Sequence, residues 1–464
     1  MPAHLLRRSI VGVASVLFAL ATTAQPFWAP VGIHTSLVGN LFSAYNSDDG
    51  QRVYLGGGLD YELSTPEWEN MLVKCSSQGL ELIPVNGEIR SIVEFHDTLF
   101  IGGHFETNPA GTDTIPAYNV EFWNGTGWST LGVFDHWGVR SLRVLDDTLY
   151  AVGSFSMVDG VMCGGMARLV NGHWQPLPPL PEPDPLGASV LDITKYDGKL
   201  IVTGPIYIDG DYVRIVYLEG DTWHPLGPGL EAGFSSIWSM TVYQNDLYVA
   251  GQIAITSNNP GRDIMRWDGS QFHKLGDVGL QRDLGDDSGV SGAGGMVEHD
   301  GLLYVGGGFR FAGGISSKGL ATWDGAEWCS VPGNLSDGDG YAGARGTAFL
   351  GDTLFVICGI LADTDSVNLA AKFIGESYAG PCASEVGVND IGTIPTIAIS
   401  PNPATSHIKL PPTPDPSEAI VILNAVGHVV ARLAGSLTEL DVSAWPRGVY
   451  LMRSANSSSR FVLQ

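Results

Sequence analysis

The stretch Leu303-Tyr304-Val305-Gly306, three apolar residues followed by a glycine, recurs with small variations along the chain. Short apolar runs bounded by turn residues are typical of buried β-strands, so each copy predicts one such strand. Successive copies begin 46, 50, 51, 47, 56 and 51 residues apart. The other copies are Val53-Tyr54-Leu55-Gly56, Leu99-Phe100-Ile101-Gly102, Leu149-Tyr150-Ala151-Val152, Leu200-Ile201-Val202-Thr203, Leu247-Tyr248-Val249-Ala250 and Leu354-Phe355-Val356-Ile357.

A second signature follows five of these copies. It is an apolar or aromatic residue, a turn that contains glycine, and then an aromatic residue. Asn-Gly and Asp-Gly favour hairpins because both central positions of a tight turn take positive φ. Each repeat is therefore predicted to be a meander of four strands. The copies start at Trp123, Val170, Leu218, Trp267 and Trp323 and end at Trp128, Trp174, Trp223, Phe272 and Trp328.

A four-stranded sheet that is apolar on both faces cannot bury those faces alone. Copies with a period near 50 residues solve the problem by packing face to face in a ring. We therefore predict an all-β chain, with a seven-bladed β-propeller over residues 25–382 followed by a small Ig-like β-sandwich. Glycines should let backbones approach near the axis, and the tryptophan of each last strand should fill the widening wedge between blades.

Two segments compete to close the ring. Phe27-Trp28-Ala29-Pro30-Val31-Gly32 resembles the last-strand segment Trp223-His224-Pro225-Leu226-Gly227, so the N-terminal segment would complete the seventh blade. Phe373-Ile374-Gly375-Glu376-Ser377-Tyr378 resembles that blade's own hairpin and is the alternative. N-terminal closure, which we favour, predicts a buried Trp28.

Composition excludes several classes of protein. Of 464 residues 61 are glycine and only 16% are charged, which is atypical of coiled coils, helical bundles and disordered acidic tails. The formal net charge of −25 opposes binding to nucleic acid and to anionic lipid. We expect no nucleic-acid partner.

The chain has five cysteines: Cys75, Cys163, Cys329, Cys358 and Cys382. An odd number in an exported protein leaves at least one thiol unpaired, and the sequence does not show which residues pair. Cys358 follows an apolar run and is expected to be a small buried residue. No CxxC spacing occurs, so neither thiol redox chemistry nor a zinc site has support.

Residues 1–24 have the order of a secretory signal peptide. Arg7 and Arg8 precede an apolar run over residues 10–20, and small residues lead to Ala24, after which we place the cleavage site. The run is too short to span about 30 Å of hydrocarbon. No later apolar stretch reaches about 18 residues, so we expect no transmembrane segment in the mature chain.

The end of the chain differs in charge from the rest. Residues 391–464 hold five basic and four acidic residues, whereas residues 25–390 hold 17 and 45. Residues 383–396 are small and polar and are predicted to be a linker. Strand-like runs separated by proline and glycine predict a small β-sandwich over residues 397–464. These runs cover residues 397–400, 419–423, 428–433, 449–452 and 461–463.

The repeats resemble a known family. An apolar strand, then Gly-Gly-x-Phe at Gly102–Phe105 and Gly306–Phe309, then Trp-Asp-Gly-x-x-Trp is similar to kelch-like propeller repeats. The resemblance is closer still to the variant found in fungal cortical cell-polarity markers and in many exported Bacteroidetes proteins. The first and last repeats depart from the pattern, since Leu80 replaces the aromatic residue and Cys358 interrupts the glycines.

The C-terminal segment resembles the sorting domain of type IX secretion cargo. This resemblance implies that the signal peptide takes the chain to the periplasm of a Gram-negative bacterium and that type IX secretion machinery recognises the C-terminal domain. The domain is then removed, with release or attachment at the cell surface. An ordinary Ig-like binding module is the alternative. The motifs that carry the resemblance are Ser400-Pro401-Asn402-Pro403-Ala404, Asn424-Ala425-Val426-Gly427, Leu440-Asp441-Val442-Ser443, Gly448-Val449-Tyr450-Leu451 and Arg460-Phe461-Val462-Leu463.

Catalytic motifs are not found in the sequence. HExxH, GxSxG and GxxxxGK[ST] do not occur, and the GxGxxG at Gly338–Gly343 lacks the strand-to-helix context of a dinucleotide site. We therefore predict no catalytic, cofactor-binding or metal-binding residues. Acidic loops could hold calcium, but solvated turns are the preferred interpretation. These loops are Asp48-Asp49, Asp209–Asp211, Asp286-Asp287 and Asp337–Asp339.

The hypothesis from the sequence is an exported, non-catalytic binding or structural module whose loops contact an extracellular glycan or protein. The alternative is an enzyme that acts on extracellular polysaccharide, because Asp and Glu are abundant and a glycosidase pair needs only two carboxylates at a defined separation. Neither the ligand nor the binding face can be read from the repeats, because repeats encode blades and function resides in loops.

Overall fold

The protein is seen here in a computed structural model. It describes residues 27–33, 37–62, 68–105, 119–135, 138–181, 189–227, 230, 236–253, 261–282, 292–333, 335, 343–358, 369–375, 377–378, 380, 382–383, 399–410, 419–424, 429–434, 437–454 and 457–464. Over these residues the regular secondary structure is β-strand, without an α-helix. The predicted signal peptide at residues 1–24 and most of the linker lie outside the described residues.

The described part of residues 28–373 contains, besides two smaller sheets, seven four-stranded antiparallel sheets. We number them 1 to 7 along the chain. Strand β1 (Trp28–Pro30) comes first and belongs to sheet 7. Sheet 1 contains β2 (Leu37–Asn46), β3 (Arg52–Glu62), β4 (Trp68–Ser76) and β5 (Gly79–Val85). Sheet 2 contains β6 (Gly87–Phe95), β7 (Thr98–Phe105), β8 (Val120–Trp123) and β9 (Trp128–Thr130).

The middle sheets follow the same order. Sheet 3 contains β10 (Val139–Leu145) and β11 (Thr148–Gly153), then after a short hairpin of β12 (Met157–Val158) and β13 (Val161–Met162) it continues with β14 (Met166–Val170) and β15 (His173–Pro176). Sheet 4 contains β16 (Asp192–Tyr196), β17 (Lys199–Ile208), β18 (Asp211–Glu219) and β19 (Thr222–Pro225). Sheet 5 contains β20 (Ser236–Tyr243), β21 (Asp246–Gln252), β22 (Ile264–Trp267) and β23 (Phe272–Lys274).

The last sheets complete the series. After β24 (Leu280–Gln281), sheet 6 begins with β25 (Ala293–His299) and β26 (Leu302–Gly307). Strands β27 (Phe311–Ala312) and β28 (Ile315–Ser316) pair with β24 in a separate small sheet, and β29 (Leu320–Trp323) and β30 (Trp328–Ser330) complete sheet 6. Sheet 7 contains β31 (Ala344–Leu350), β32 (Thr353–Cys358) and β33 (Ala370–Phe373), together with β1.

The sheets form a closed circle. The first strands of successive sheets contact one another in order, from β2 through β6, β10, β16, β20 and β25 to β31, and β31 contacts β2. Each of the seven apolar repeats lies in the second strand of its sheet, and these strands are buried as predicted. The architecture is all-β and propeller-like.

The N-terminal segment closes the ring. Strand β1 pairs with β33, so that Trp28 lies opposite Phe373, and Ile374 N donates to Phe27 O at 2.8 Å. Trp28 is 4% exposed, as N-terminal closure requires. The alternative, in which the segment after Phe373 turns back to form the last strand of sheet 7, was wrong because β1 occupies that edge.

Tryptophans on the outermost strands join neighbouring sheets. In five sheets the indole Nε1 donates to a backbone carbonyl at the end of the preceding sheet, and sheets 5 and 1 carry Phe272 and Leu80 at the equivalent position. These contacts confirm that the tryptophan side chain of the outermost strand fills the widening wedge between neighbouring sheets. The bonds are Trp28 to Pro332 O (3.0 Å), Trp128 to Pro84 O (2.9 Å), Trp174 to Leu131 O (2.9 Å), Trp223 to Pro178 O (2.8 Å) and Trp328 to Leu275 O (3.1 Å).

A glycine on the second strand allows that strand to lie close to the first strand of its sheet, as predicted. A Cβ at Gly103 would overlap the carbonyl oxygen of Glu88, and five other sheets have a glycine in the same relation to their first strand. In sheet 7 Cys358 takes this place opposite Ala344. The other five glycines are Gly57, Gly153, Gly204, Gly251 and Gly307.

The predicted Asn-Gly and Asp-Gly turns are of two kinds. Asn171 and Gly172 both have positive φ, 50° and 78°, as a tight hairpin requires. At Asp268-Gly269 only Gly269 does, and Asp268 Oδ1 instead accepts hydrogen bonds from Ser270 N and Gln271 N at 2.8 and 2.9 Å. The tight-turn prediction was wrong there, because the aspartate caps a four-residue loop.

A buried carboxylate links the inner strands of three sheets. Asp192 on β16 accepts from Ser141 Oγ (2.8 Å), from Arg143 Nε and Nη2 (3.0 and 2.8 Å) and from Met240 N (2.9 Å). Asp192 is 1% exposed, and its charge raises the pKa of Arg143. Four hydrogen bonds to one buried carboxylate therefore connect sheets 3, 4 and 5.

A disulfide secures the exit from the ring. Cys329 on the last strand of sheet 6 bonds to Cys382, 53 residues later. Beside it Gly380 N donates to Ser330 O and Ala383 N to Trp328 O, so the chain that leaves sheet 7 runs along the edge of sheet 6. Cys75, Cys163 and Cys358 are free and buried, and burial raises the pKa of each thiol. The expectations of an unpaired thiol and of a buried Cys358 are confirmed.

The C-terminal segment forms two sheets around a core of its own. Four of the five predicted runs contain strands; in the fifth, of which residues 397–398 lie outside the described residues, Ser400 forms a bridge to Lys409. Asn402 in the Ser-Pro-Asn-Pro motif accepts from Val462 N and donates to Arg460 O, both at 3.0 Å, which ties the motif to the last strand. The strands are β34 (His407–Lys409), β35 (Ala419–Asn424), β36 (Val429–Ala434), β37 (Glu439–Asp441), β38 (Gly448–Ser454) and β39 (Ser457–Leu463).

Candidate binding groove between sheets 1 and 2

A groove of about 580 Å³ lies between sheets 1 and 2, on the face where the first and third hairpins of each sheet turn. Sheet 1 contributes the residues that point towards sheet 2, and sheet 2 contributes its first turn and its third strand. We call this the sheet 1–2 groove. It is lined by Arg52, Tyr54, Lys74, Ile83, Glu94, Asp97, Thr98, Leu99, Phe122, Trp123, Asn124 and Gly125.

The groove is open where the equivalent interface of sheets 5 and 6 is closed. There Trp323 is 4% exposed and its Nε1 donates to Tyr248 OH at 3.2 Å. Trp123 and Tyr54 occupy the same register positions between sheets 1 and 2. Trp123 is half-buried, and its Nε1 has no hydrogen-bond partner among the described residues. An aromatic face and an indole donor are therefore available to a ligand.

Charge at the start of β3 distinguishes the groove from its counterpart. In sheet 5 the equivalent positions carry Asp246 and Arg266, which pair with each other at 3.1 Å. In sheet 1 they carry Arg52 and Lys74, two cations that cannot pair. Both remain directed at the groove, each held by carboxylates from neighbouring turns and strands.

Hydrogen bonds and ion pairs hold these cations in place. Arg52 Nη2 lies 2.6 Å from Asp49 Oδ2 and 3.9 Å from Glu94 Oε1. Glu94 also accepts from Asp48 N at 2.7 Å, and Lys74 Nζ lies 2.9 Å from Glu81 Oε2. Arg52 Nε is buried without a hydrogen-bond partner among the described residues. The groove thus places charged side chains, held by ion pairs, beside the aromatic rings that line it.

Glu121 is an unusual residue in the same interface. It lies on β8, two residues before Trp123 and on the same face, and it is 7% exposed. Burial raises the pKa of Glu121 to about 7. All six other sheets carry a fully buried apolar residue at this register position, namely Val73, Ala167, Val216, Met265, Ala321 and Ala371.

The histidines and acidic loops that the sequence analysis weighed as candidate sites do not line the sheet 1–2 groove. His173, His224 and His273 follow one another on the outermost strands β15, β19 and β23, beside the wedge-filling aromatic residues. Asp49 accepts from Ser47 Oγ, Gln51 N and Arg52, so it serves its own turn. Asp209–Asp211 lies at the turn from β17 to β18. The other two acidic loops and residues 338–342 fall outside the described residues.

Within the described ranges, no three His, Cys, Asp or Glu side chains lie together as a metal site would need. The preference for solvated turns over calcium sites in the acidic loops stays a prediction. Sequence reasoning did not single out the sheet 1–2 groove. Alignment of the seven repeats could have shown Glu121, because it is the one charged residue at its register position.

Residues 398–464 match the family of secretion system C-terminal sorting domains. This match confirms the type IX sorting domain predicted from the five motifs, and it indicates export to the cell surface or secretion. No curated protein sequence matches the chain. The described residues contain no helix of the length and apolarity that crossing a membrane would require.

Several solved structures are similar in fold. One is PorZ, an essential bacterial surface component of the type-IX secretion system of Porphyromonas gingivalis, at 12% identity over 92% of this chain and 75% of that chain, with a TM-score of 0.37. Another is the extracellular domain of a putative hybrid two-component system from B. thetaiotaomicron, at 12% identity over 94% and 58%, TM-score 0.44. A third is the β-propeller domain of the Trilobed protease from Pyrococcus furiosus, at 14% identity over 74% and 99%, TM-score 0.44.

Proposed function

We propose that the chain is an exported, seven-bladed, kelch-like β-propeller that acts as a non-catalytic binding module for an extracellular glycan. In this proposal residues 25–382 form the propeller, residues 383–396 are a linker, and residues 397–464 are an Ig-like sandwich recognised by type IX secretion machinery. The signal peptide at residues 1–24 would deliver the chain to the periplasm. The sorting-domain match at residues 398–464 supports the exported location.

The half-buried Trp123 in the sheet 1–2 groove carries the binding part of the proposal. Trp123 packs edge-on against Trp128 and lines the groove, at a position where Trp323 is buried and hydrogen-bonded. Sugars present apolar C–H faces to aromatic rings and hydroxyls to charged or amide groups, and Arg52, Lys74 and Glu94 line the groove beside Trp123. A volume of about 580 Å³ lies within the range of about 300–1,000 Å³ that is usual for small-ligand sites.

A glycan fits this groove better than a protein surface does, because the groove is concave and its aromatic residues are set beside balanced charges. A glycosidase would need two carboxyl groups placed across a bond. Among the described residues, Glu121 is the one carboxyl group with a raised pKa, and it is buried between sheets. The enzymatic alternative therefore remains a hypothesis without residues assigned to it.

Glycan-array binding of the purified protein tests the proposal. We expect at least one extracellular glycan to bind, with a loss of about tenfold or more in W123A, where an aromatic contact is removed. L169A changes the equivalent, partly buried position in sheet 3 and should bind as the unmodified protein does. Thermal unfolding of each variant shows whether the fold is retained. The proposal fails if no glycan binds, or if W123A binds as well as L169A; capture of a protein in pull-downs would then favour the protein-ligand alternative.

A further inference from the structure

The first strands of six sheets contain an irregularity near the centre of the ring. At each site the pairing with the second strand skips one or two residues. An extra residue of this kind is a β-bulge, which re-aims a side chain. The skipped residues are Phe42 in sheet 1, Arg90 in sheet 2, Arg140 in sheet 3, Trp238 in sheet 5, Gly294 and Gly295 in sheet 6, and Arg345 in sheet 7.

The bulges lie on the innermost strands, which border the centre of the ring. In sheet 2 Ile89 packs in the interface with sheet 1, and Ser91 Oγ accepts from Leu142 N of sheet 3 at 2.9 Å. Arg90 lies between these two residues on the innermost strand, whose free edge borders the centre of the ring. The Arg90 guanidinium lies 4.5 Å from the centre of the Phe42 ring, so the bulge residues of adjacent sheets touch each other.

The three arginines form one arc. Sheets 7, 1, 2 and 3 are consecutive around the ring, and they carry Arg345, Phe42, Arg90 and Arg140 at the same level. This cationic arc occurs in a chain with a net charge of −25. All three arginines are exposed to solvent. Basic side chains at the centre of an acidic ring would concentrate an anion there.

The arc lacks enough carboxylates to neutralise it. Arg90 pairs with Glu88. Arg140 and Arg345 have no ion-pair or hydrogen-bond partner among the described residues, and partial desolvation by the surrounding protein and the neighbouring Arg90 lower the pKa of Arg140, against the opposite effect of Asp192. Exposed guanidinium groups without protein partners keep their N–H donors available to a ligand. Two guanidinium groups are therefore free to bind an oxyanion.

We propose that Arg90, Arg140 and Arg345 bind the carboxylate or sulfate group of an acidic saccharide at the centre of the ring. Guanidinium groups recognise planar or tetrahedral oxyanions through paired N–H donors. Phe42 beneath Arg90, and Trp238 at the same level in sheet 5, provide aromatic surface for a sugar ring. The choice of a saccharide rests on the proposed extracellular function, whereas the anion site rests on the arginines alone.

Calorimetric titration of the full chain tests this site. The probes are trigalacturonate, a sulfated disaccharide, neutral maltotriose and inorganic sulfate. We expect the acidic saccharides to bind, with affinity that falls as NaCl rises, and we expect R140Q and R345Q each to weaken binding by about tenfold or more. R168Q, which removes an exposed arginine on the third strand of sheet 3, should have no effect.

The outcomes separate the two sites. Loss of acidic-saccharide binding in R140Q and R345Q, but not in W123A, supports the axial site even if the sheet 1–2 groove binds nothing. The axial proposal is overturned if neither acidic saccharide binds, if R140Q and R345Q bind as the unmodified protein does, or if R168Q weakens binding equally. Inorganic sulfate that binds as tightly as the saccharides would overturn the assignment of a saccharide.

Discussion

Replacement of Glu121 by glutamine is expected to remove a pH dependence of stability. The pKa of Glu121 is about 7 in the fold against an ordinary value of 4.5. The folded protein therefore keeps a proton that the unfolded chain releases near pH 4.5. Since one pKa unit is worth about 1.4 kcal/mol, the fold loses roughly 3 kcal/mol at this residue as pH rises from below 4.5 to above 7.

The assay is urea unfolding followed by tryptophan fluorescence, with the unmodified protein and E121Q compared at pH 5, 6, 7 and 8. The difference in unfolding free energy should shift by up to about 3 kcal/mol in favour of E121Q as pH rises, because glutamine cannot ionise. E298Q, which removes an exposed carboxylate from sheet 6, serves as the control for loss of one negative charge. A difference between the unmodified protein and E121Q that stays constant over this range, or shifts the other way, would refute the reasoning.

Three further predictions concern the ring. D192A should lower the unfolding free energy by about 2–4 kcal/mol in the same urea assay, because Ser141 Oγ and Met240 N lose their buried acceptor and Arg143 loses its ion pair; a loss below about 1 kcal/mol would contradict this role. C329S combined with C382S should lower the free energy of unfolding by about 4 kcal/mol, the loop-closure value for a disulfide that spans 53 residues. An unchanged urea midpoint would show that the disulfide does not stabilise the fold. W28A should lower the free energy of unfolding by about 3–5 kcal/mol, whereas W28F should retain most of the stability. If β1 closes the ring, hydrogen exchange of the β33 amides should become faster in W28A but not in W28F.

Much of the fold could be predicted from local chemistry. The apolar repeats identified the second strand of every sheet, because a strand buried on both faces needs an uninterrupted apolar run. Trp28 was recognisable as a wedge-filling residue since it shares its Trp-x-Pro context with Trp223. The pairing of Cys329 with Cys382 could not be read from five scattered cysteines, because it depends on where the chain leaves sheet 7.

The candidate sites were harder to predict for a physical reason. The groove exists because the interface of sheets 1 and 2 is left open at Trp123, whereas the same residue type at Trp323 closes the interface of sheets 5 and 6. The cationic arc depends on β-bulges, which shift Arg90 and Arg140 out of the regular alternation of side chains between the two faces of a strand. Such exceptions become visible only after the repeats are aligned in register.

The central claim is that this protein works outside the cell, and the mass of the protein recovered from the culture medium and cell surface tests it most directly. The account predicts a chain that begins at Gln25 and has lost the sorting domain at residues 398–464. A surface protein that keeps this domain would make the domain a working module beside the propeller. A chain of the full 49.3 kDa found only in the cytoplasm would contradict the account.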